Sequence, residues 1–159
     1  MDRLLHEFHA DHQQIVDALL TLRRALCDAD RVRLRAALDA ADRLLGPHCK
    51  WEEIFLYPAL GGVVGEVRVQ RLMTQHDGVH RSLRRLGELA GLPAWSGAER
   101  AAAHEHWSLT VEHVVACDDL GRYVALLPPG QLAGCAEGLW ALRRQSVRLA
   151  EYCRERRVA

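Results

Sequence analysis

The chain has no run approaching the roughly 20 uninterrupted apolar residues that a membrane-spanning helix needs, so no bilayer-spanning segment is expected. It has no surplus charge of either sign. Lys plus Arg and Asp plus Glu stand at 21 each, which removes the bulk field that draws a protein to nucleic acid or to an anionic membrane. Its five cysteines are an odd number without pairwise spacing. That suits reduced thiols in a reducing compartment better than a disulfide framework. The N-terminal Met1-Asp2-Arg3 leads straight into an amphipathic segment rather than a secretory signal, and a soluble, cytoplasmic protein is the expectation. No alternating strand pattern occurs, and no linker-like stretch divides the chain. The arginine pairs Arg23 and Arg24, Arg84 and Arg85, Arg143 and Arg144, and Arg156 and Arg157 read most simply as solvated faces.

What the chain does have is length and apolar content. With 159 residues, 49% of them hydrophobic, it buries a core without disulfide staples as one domain, residues 1–159. Punctuation places the helices. The first runs from about Asp2 to Leu26, and Asp28 or Asp30 caps a second that extends to about Leu60, before Gly61 and Gly62. Pro47 predicts a kink or local break one turn ahead of His48. A third helix covers about 66–90, ended by Gly91 and Pro93. Ser96 with Glu99 forms a capping box for a fourth, which stops before Pro128, Pro129 and Gly130. A fifth follows over about 131–155, with Leu132, Cys135, Leu139 and Leu142 as its apolar stripe. The expected fold is all-α: an antiparallel up-and-down four-helix bundle over about 2–127 with one appended C-terminal helix.

The apolar seams of the four bundle helices carry ionisable residues. In the first, Leu5, Phe8, His12, Ile15, Leu19 and Leu22 recur at steps of three or four. The second reads Leu34, Leu38, Ala41, Leu45, His48, Glu52, Phe55 and Ala59. The third reads Val69, Met73, His76, His80 and Leu83, and the fourth His106, Leu109, His113, Ala116 or Cys117, Leu120 and Val124. A buried stripe normally spends these positions on aliphatic residues, so imidazoles and carboxylates there must be paired or bound to metal. His12, His48, His76, His80 and His113, with Glu52 and Asp118, thus point to a two-metal site. The donor set suits iron, copper, zinc or manganese rather than calcium or magnesium, and five imidazoles with two carboxylates suit a non-haem di-iron pair in particular.

The ordered pattern His12, His48-Cys-Lys-Trp-Glu52, His76-Asp-Gly-Val-His80 and His113-Val-Val-Ala-Cys-Asp118 resembles the hemerythrin and hemerythrin-like (HHE cation-binding) domains, over about residues 5–125. The segment Glu52-Glu53-Ile-Phe-Leu-Tyr-Pro58 is similar to the family's as well. The resemblance implies two iron ions in an oxo- or hydroxo- and carboxylate-bridged centre. His76, His80 and His113 would bind one iron, His12 and His48 the other, and Glu52 and Asp118 would bridge them. It also implies an open position on the second iron for dioxygen, peroxide, nitric oxide or an anion such as azide. Phe8, Ile15, Leu45 and Phe55 would keep that pocket dry. Wider gaps between the ligand groups, Pro47 beside a ligand, and Cys117 in the last motif depart from the short oxygen-carrying members.

Three functional classes follow. The first is a protein that binds or senses dioxygen or a related small ligand, alone or through a protein partner. The second is a di-iron enzyme acting on peroxide or nitric oxide, for which no acid or base beyond the ligands is visible. The third is an interaction module with a structural metal. On the seam rule Glu53 turns away from the core, so its loss is expected to be mild. Cys117 lies four residues after His113, but Asp118 is the expected bridge because a carboxylate joins two hard ferric ions and resists oxidation. His106 is expected to pack or hydrogen-bond, His6, His9 and His104 to be exposed or peripheral, and Trp51, Trp95, Trp107 and Trp140 to pack.

Overall fold

The structure, a computed structural model, describes residues 2–158, and every regular element among them is helical. The chain forms α1 (Asp2–Cys27), α2 (Arg31–Trp51), a π-helical turn (Glu52–Leu56), α3 (Tyr57–Val64), α4 (Glu66–Ala90), α5 (Gly97–Asp118), α6 (Gly121–Val124), α7 (Pro129–Gln145) and α8 (Leu149–Val158). Among the described residues no helix is long and apolar enough to cross a membrane.

Local chemistry sets the ends. The Asp30 carboxylate accepts from the Val32 and Arg33 amides and starts α2. Ser96 and Glu99 make the reciprocal capping box of α5. Pro47 does not interrupt α2. The ladder changes later, at the π-helical turn after Trp51. A π turn accommodates one more residue than an α turn, so the seam slips by one position. Leu56, Tyr57 and Leu60 are buried where the uninterrupted seam predicted Phe55 and Ala59, which are only partly covered. In α5 the inward row is Ala103, Thr110, His113 and Cys117, whereas Leu109 is 45% exposed. The C-terminal segment is two helices rather than one. Ser146, at φ 51, takes the left-handed conformation that ends α7, and α8 sets off from Leu149.

α1 packs on α2 and α5, and α4 packs on the same two, closing a ring of four long helices. The interior consists of two apolar clusters. Ile15, Leu19, Leu22, Leu34, Leu45, Leu86 and Leu89 belong to one; Phe8, Trp51, Leu56, Leu72, Leu120 and Leu139 belong to the other. Each long helix passes from one cluster to the other at a histidine. α1 and α4 cross in one direction, α2 and α5 in the opposite one.

α7 and α8 both dock on α2. Two glycines permit this approach. A Cβ on Gly138 would stand 2.6 Å from the Phe55 ring, and one on Gly46 would collide with the backbone of Val147 and Arg148. The Trp51 indole donates to the Cys135 carbonyl at 2.8 Å, tying α2 to α7. Trp95 and Trp107 likewise donate to the Leu89 and Leu19 carbonyls, and Arg3 stacks over Trp140.

Candidate metal centre

Where the two apolar clusters meet, α1, α2, α4 and α5 bring ionisable side chains together in a dry layer. His12, His48, Glu52, His76 and His113 are all at most 4% exposed. Their donor atoms fall into two groups, each with ligand atoms within 4.8 Å of one another: His12, His48, Glu52 and Cys117, and Cys49, Glu52, His76 and His113. Glu52 belongs to both. Its Oε1 lies 3.3 Å from His48 Nε2, and its Oε2 lies 3.1 Å from His76 Nε2. One carboxylate therefore faces two imidazoles through different oxygens, the arrangement a bridging ligand requires.

The remaining expected ligands lie at the margin. His80, one turn after His76, is partly buried and belongs to neither group. Asp118 has a half-exposed side chain, with Oδ1 3.2 Å from His12 Nδ1 and 3.4 Å from His9 Nδ1. Cys117 occupies the inward row of α5, and its thiol donates to Glu52 Oε1. His106 bonds Ser82 at 3.3 Å, apart from the cluster.

Electrostatics divides the imidazoles into two kinds. Burial pushes the His48 ring down, but Glu52 and Asp11 outweigh it and hold the group at about 10. Burial also opposes charge on His76, yet Cys49, Glu52 and Glu53 keep it well above the ordinary histidine value. His12 is pushed down to about 4 by burial and by the His48 charge, and His113 to about 3 by burial and by His76. Burial alone would raise the Glu52 carboxyl, whereas His48 and His76 hold it well below the carboxylate range. Each half of the layer thus pairs one cationic imidazole with one neutral one.

Three features lay outside the sequence reading. The π-helical turn draws Glu53 inward beside Glu52: its side chain is 2% exposed, and Oε1 stands 2.6 Å from His76 Nδ1. The expectation that position 53 turns off the seam is corrected here, because it assumed an uninterrupted α-helical phase. Tyr57 is buried by the same shift, and its hydroxyl donates to Glu52 Oε2 at 3.2 Å and lies 3.2 Å from His76 Nε2. Burial, followed by the nearby Cys117 and Glu52, raises Tyr57 well above the ordinary phenol value, so it keeps its proton. Asp11 stands with Oδ2 3.5 Å from His48 Nδ1. Only the adjacency of Glu53 to Glu52 and of Asp11 to His12 hinted at either carboxylate, and nothing in the sequence announces a π turn.

The donor set fits a pair of cations. His12 Nε2 is fully buried without a hydrogen-bond partner among the described residues, a costly arrangement that a bound cation relieves. Imidazoles on either side of a shared carboxylate match the donor preference of first-row transition metals. A family model of the hemerythrin HHE cation-binding domain matches residues 3–120 of the chain. No curated protein and no solved structure matches it.

Proposed function

The chain belongs to the hemerythrin HHE cation-binding family, and from that premise we propose that it is a non-haem di-iron protein that binds dioxygen or a related small ligand, peroxide or nitric oxide. The observation that carries this reading is Glu52, wholly buried and shared between two groups of imidazole donors. In this reading His12 and His48 hold one iron and His76, His80 and His113 the other, with Glu52 and Asp118 spanning the pair. The frame is the antiparallel up-and-down bundle, which the alternating directions of α1, α2, α4 and α5 between the two apolar clusters support. The iron pair supplies an electron-rich centre at which a small ligand binds.

The chain's own residues shape what reaches it. A surface cleft of about 290 Å³, lined by His9, His12, Val114 and Asp118 among others, leads to the His12 side of the layer. A diatomic or triatomic ligand fits such a path. Phe8 lies edge-on to His12 at 4.2 Å between ring centroids and excludes bulk water from its inner face. Tyr57 favours a second reading, at the same centre: disproportionation of peroxide to water and dioxygen, or reduction of two nitric oxide molecules by the two electrons that a diferrous pair would supply. Its buried hydroxyl is a proton donor in contact with Glu52 and His76, the group that the sequence did not reveal.

Metal analysis of protein produced in iron-replete cells, with optical spectra under air, azide and peroxide, tests both readings. About two irons per chain and a charge-transfer spectrum that responds reversibly to dioxygen or azide are expected. One zinc per chain with negligible iron refutes the di-iron centre, and peroxide turnover lost in Tyr57→Phe selects the enzyme. Asp118→Ala is expected to lower iron content and remove the bridged-pair absorption while Cys117→Ser leaves both in place. The reverse result assigns the second bridge to the thiol.

A further inference from the structure

Arg143, in the last turn of α7, and Arg156, in the last turn of α8, read as solvated in the sequence but engage inward carboxylates in the structure. Arg156 of α8 donates to Glu53 Oε1 at 2.6 Å and also pairs with Asp77, while the Tyr152 hydroxyl donates to Glu53 Oε2 at 2.5 Å. Glu53 in turn meets His76 at Nδ1, leaving Nε2 directed at Glu52. The other half of the layer repeats the arrangement with different parts. Arg143 of α7 donates to Asp11 Oδ1 at 2.6 Å and to Glu7 Oε2 at 2.5 Å. Asp11 Oδ2 lies 3.5 Å from His48 Nδ1, an ion-pair distance without a hydrogen bond, and His48 Nε2 lies 3.3 Å from Glu52 Oε1. In both halves the order is cation, outer carboxylate, imidazole Nδ1, and then Nε2 toward the shared Glu52. A carboxylate bonded at Nδ1, as Glu53 is at His76, fixes an imidazole's tautomer and ring plane with Nε2 presented as the donor, whereas at His48 the Asp11 carboxylate acts through its charge at 3.5 Å.

Given the metal centre proposed above, we infer that α7 and α8 are a built-in outer sphere of that centre. Arg156 and Tyr152 position His76 through Glu53, and Arg143 positions His48 through Asp11. The segment lies beyond residue 120, where the family match ends. Arg156, Tyr152 and Arg143 are not ligands and touch no reacting atom; they are positioning residues. Arg148, on the same segment, provides the internal contrast. It bridges Asp39 and Asp42 of α2 with equally direct ion pairs, yet neither carboxylate reaches a histidine of the layer. If α7 and α8 served only to cover α2, the loss of any of the three arginines would act alike.

Arg143→Gln, Arg156→Gln and Arg148→Gln in the full chain, loaded with ferrous iron without oxygen and then challenged with a chelator, separate the two roles. Two iron atoms in unlike halves leave in two phases. Arg156→Gln is expected to accelerate one phase and Arg143→Gln the other, each by about 10–100-fold, while Arg148→Gln releases iron as the wild type does despite a comparable fall in melting temperature. Tyr152→Phe removes one hydroxyl and no charge, and is expected to accelerate the Arg156 phase should Arg156→Gln fail to fold. Equal effects in all three arginine variants, or none in any, overturn the inference while leaving the metal centre standing. A wild-type chain that takes up no iron overturns the metal-centre reading itself, and this inference with it.

Discussion

His48 and His76 hold protons where the proposed centre needs lone pairs, and this sets the pH behaviour of metal uptake. His48 sits at about 10, above the ordinary 6.5, and His76 is also raised, so both are cationic near neutrality. His12 and His113, at about 4 and about 3, are already neutral there. A cation arriving at pH 7 must therefore displace one proton from His48 and one from His76, and none from the other two. Each displaced proton makes apparent affinity rise about tenfold per pH unit until the histidine deprotonates on its own. The expected outcome in a weakly buffered calorimetric titration is release of about two protons per metal pair at pH 7. Uptake that is flat between pH 6 and 9 would mean that these imidazoles do not ligate.

At the scale of the element, the π-helical turn decides which carboxylates face the interior. Deleting Ile54, which is 47% exposed, removes the extra residue and lets Glu52 and Leu56 fall into one α-helical seam. Leu56, Tyr57 and Leu60 would stay in the core and Glu53 alone would turn outward. The deletion is expected to keep helix content by circular dichroism and to weaken metal binding about tenfold or more. Unchanged metal affinity would show that the π turn is incidental. This turn also marks where the sequence stopped being legible. The all-helical fold and the inward placement of His12, His48, Glu52, His76 and His113 followed from periodicity, because each helix holds one phase up to its histidine. The phase slip after Trp51 hid Glu53 and Tyr57. In α5 the small Thr110 takes the interior in place of Leu109, and that phase turns Cys117 inward and leaves Asp118 half exposed. Arg143 and Arg156 read as solvated because the carboxylates they pair with lie 79 to 136 residues away in sequence, a distance at which no periodicity operates.

Across the whole molecule, the seat of the C-terminal segment depends on the close approach at Gly46. Gly46→Ala would drive a methyl group into the Val147 and Arg148 backbone at the turn between α7 and α8. Overpacking of this kind costs about 1–3 kcal/mol, and for a chain of this size each kcal/mol lowers the melting temperature by about 2–4 °C. Gly62→Ala, at an exposed position of α3 with open space at its Cβ, is the matched control and is expected to melt at or a few degrees above the wild type, because alanine is the better helix former. The same global view gives the polar layer a mechanical meaning. The two apolar clusters meet across imidazoles and carboxylates rather than across interdigitated hydrocarbon, so across this layer the two ends of the molecule are coupled by hydrogen bonds and ion pairs. Each end is then expected to behave as a cooperative unit of its own, opening while the other stays closed. The metal pair proposed at this waist would act as a rivet, and its departure would be felt first as two separate tempos of amide exchange along every long helix.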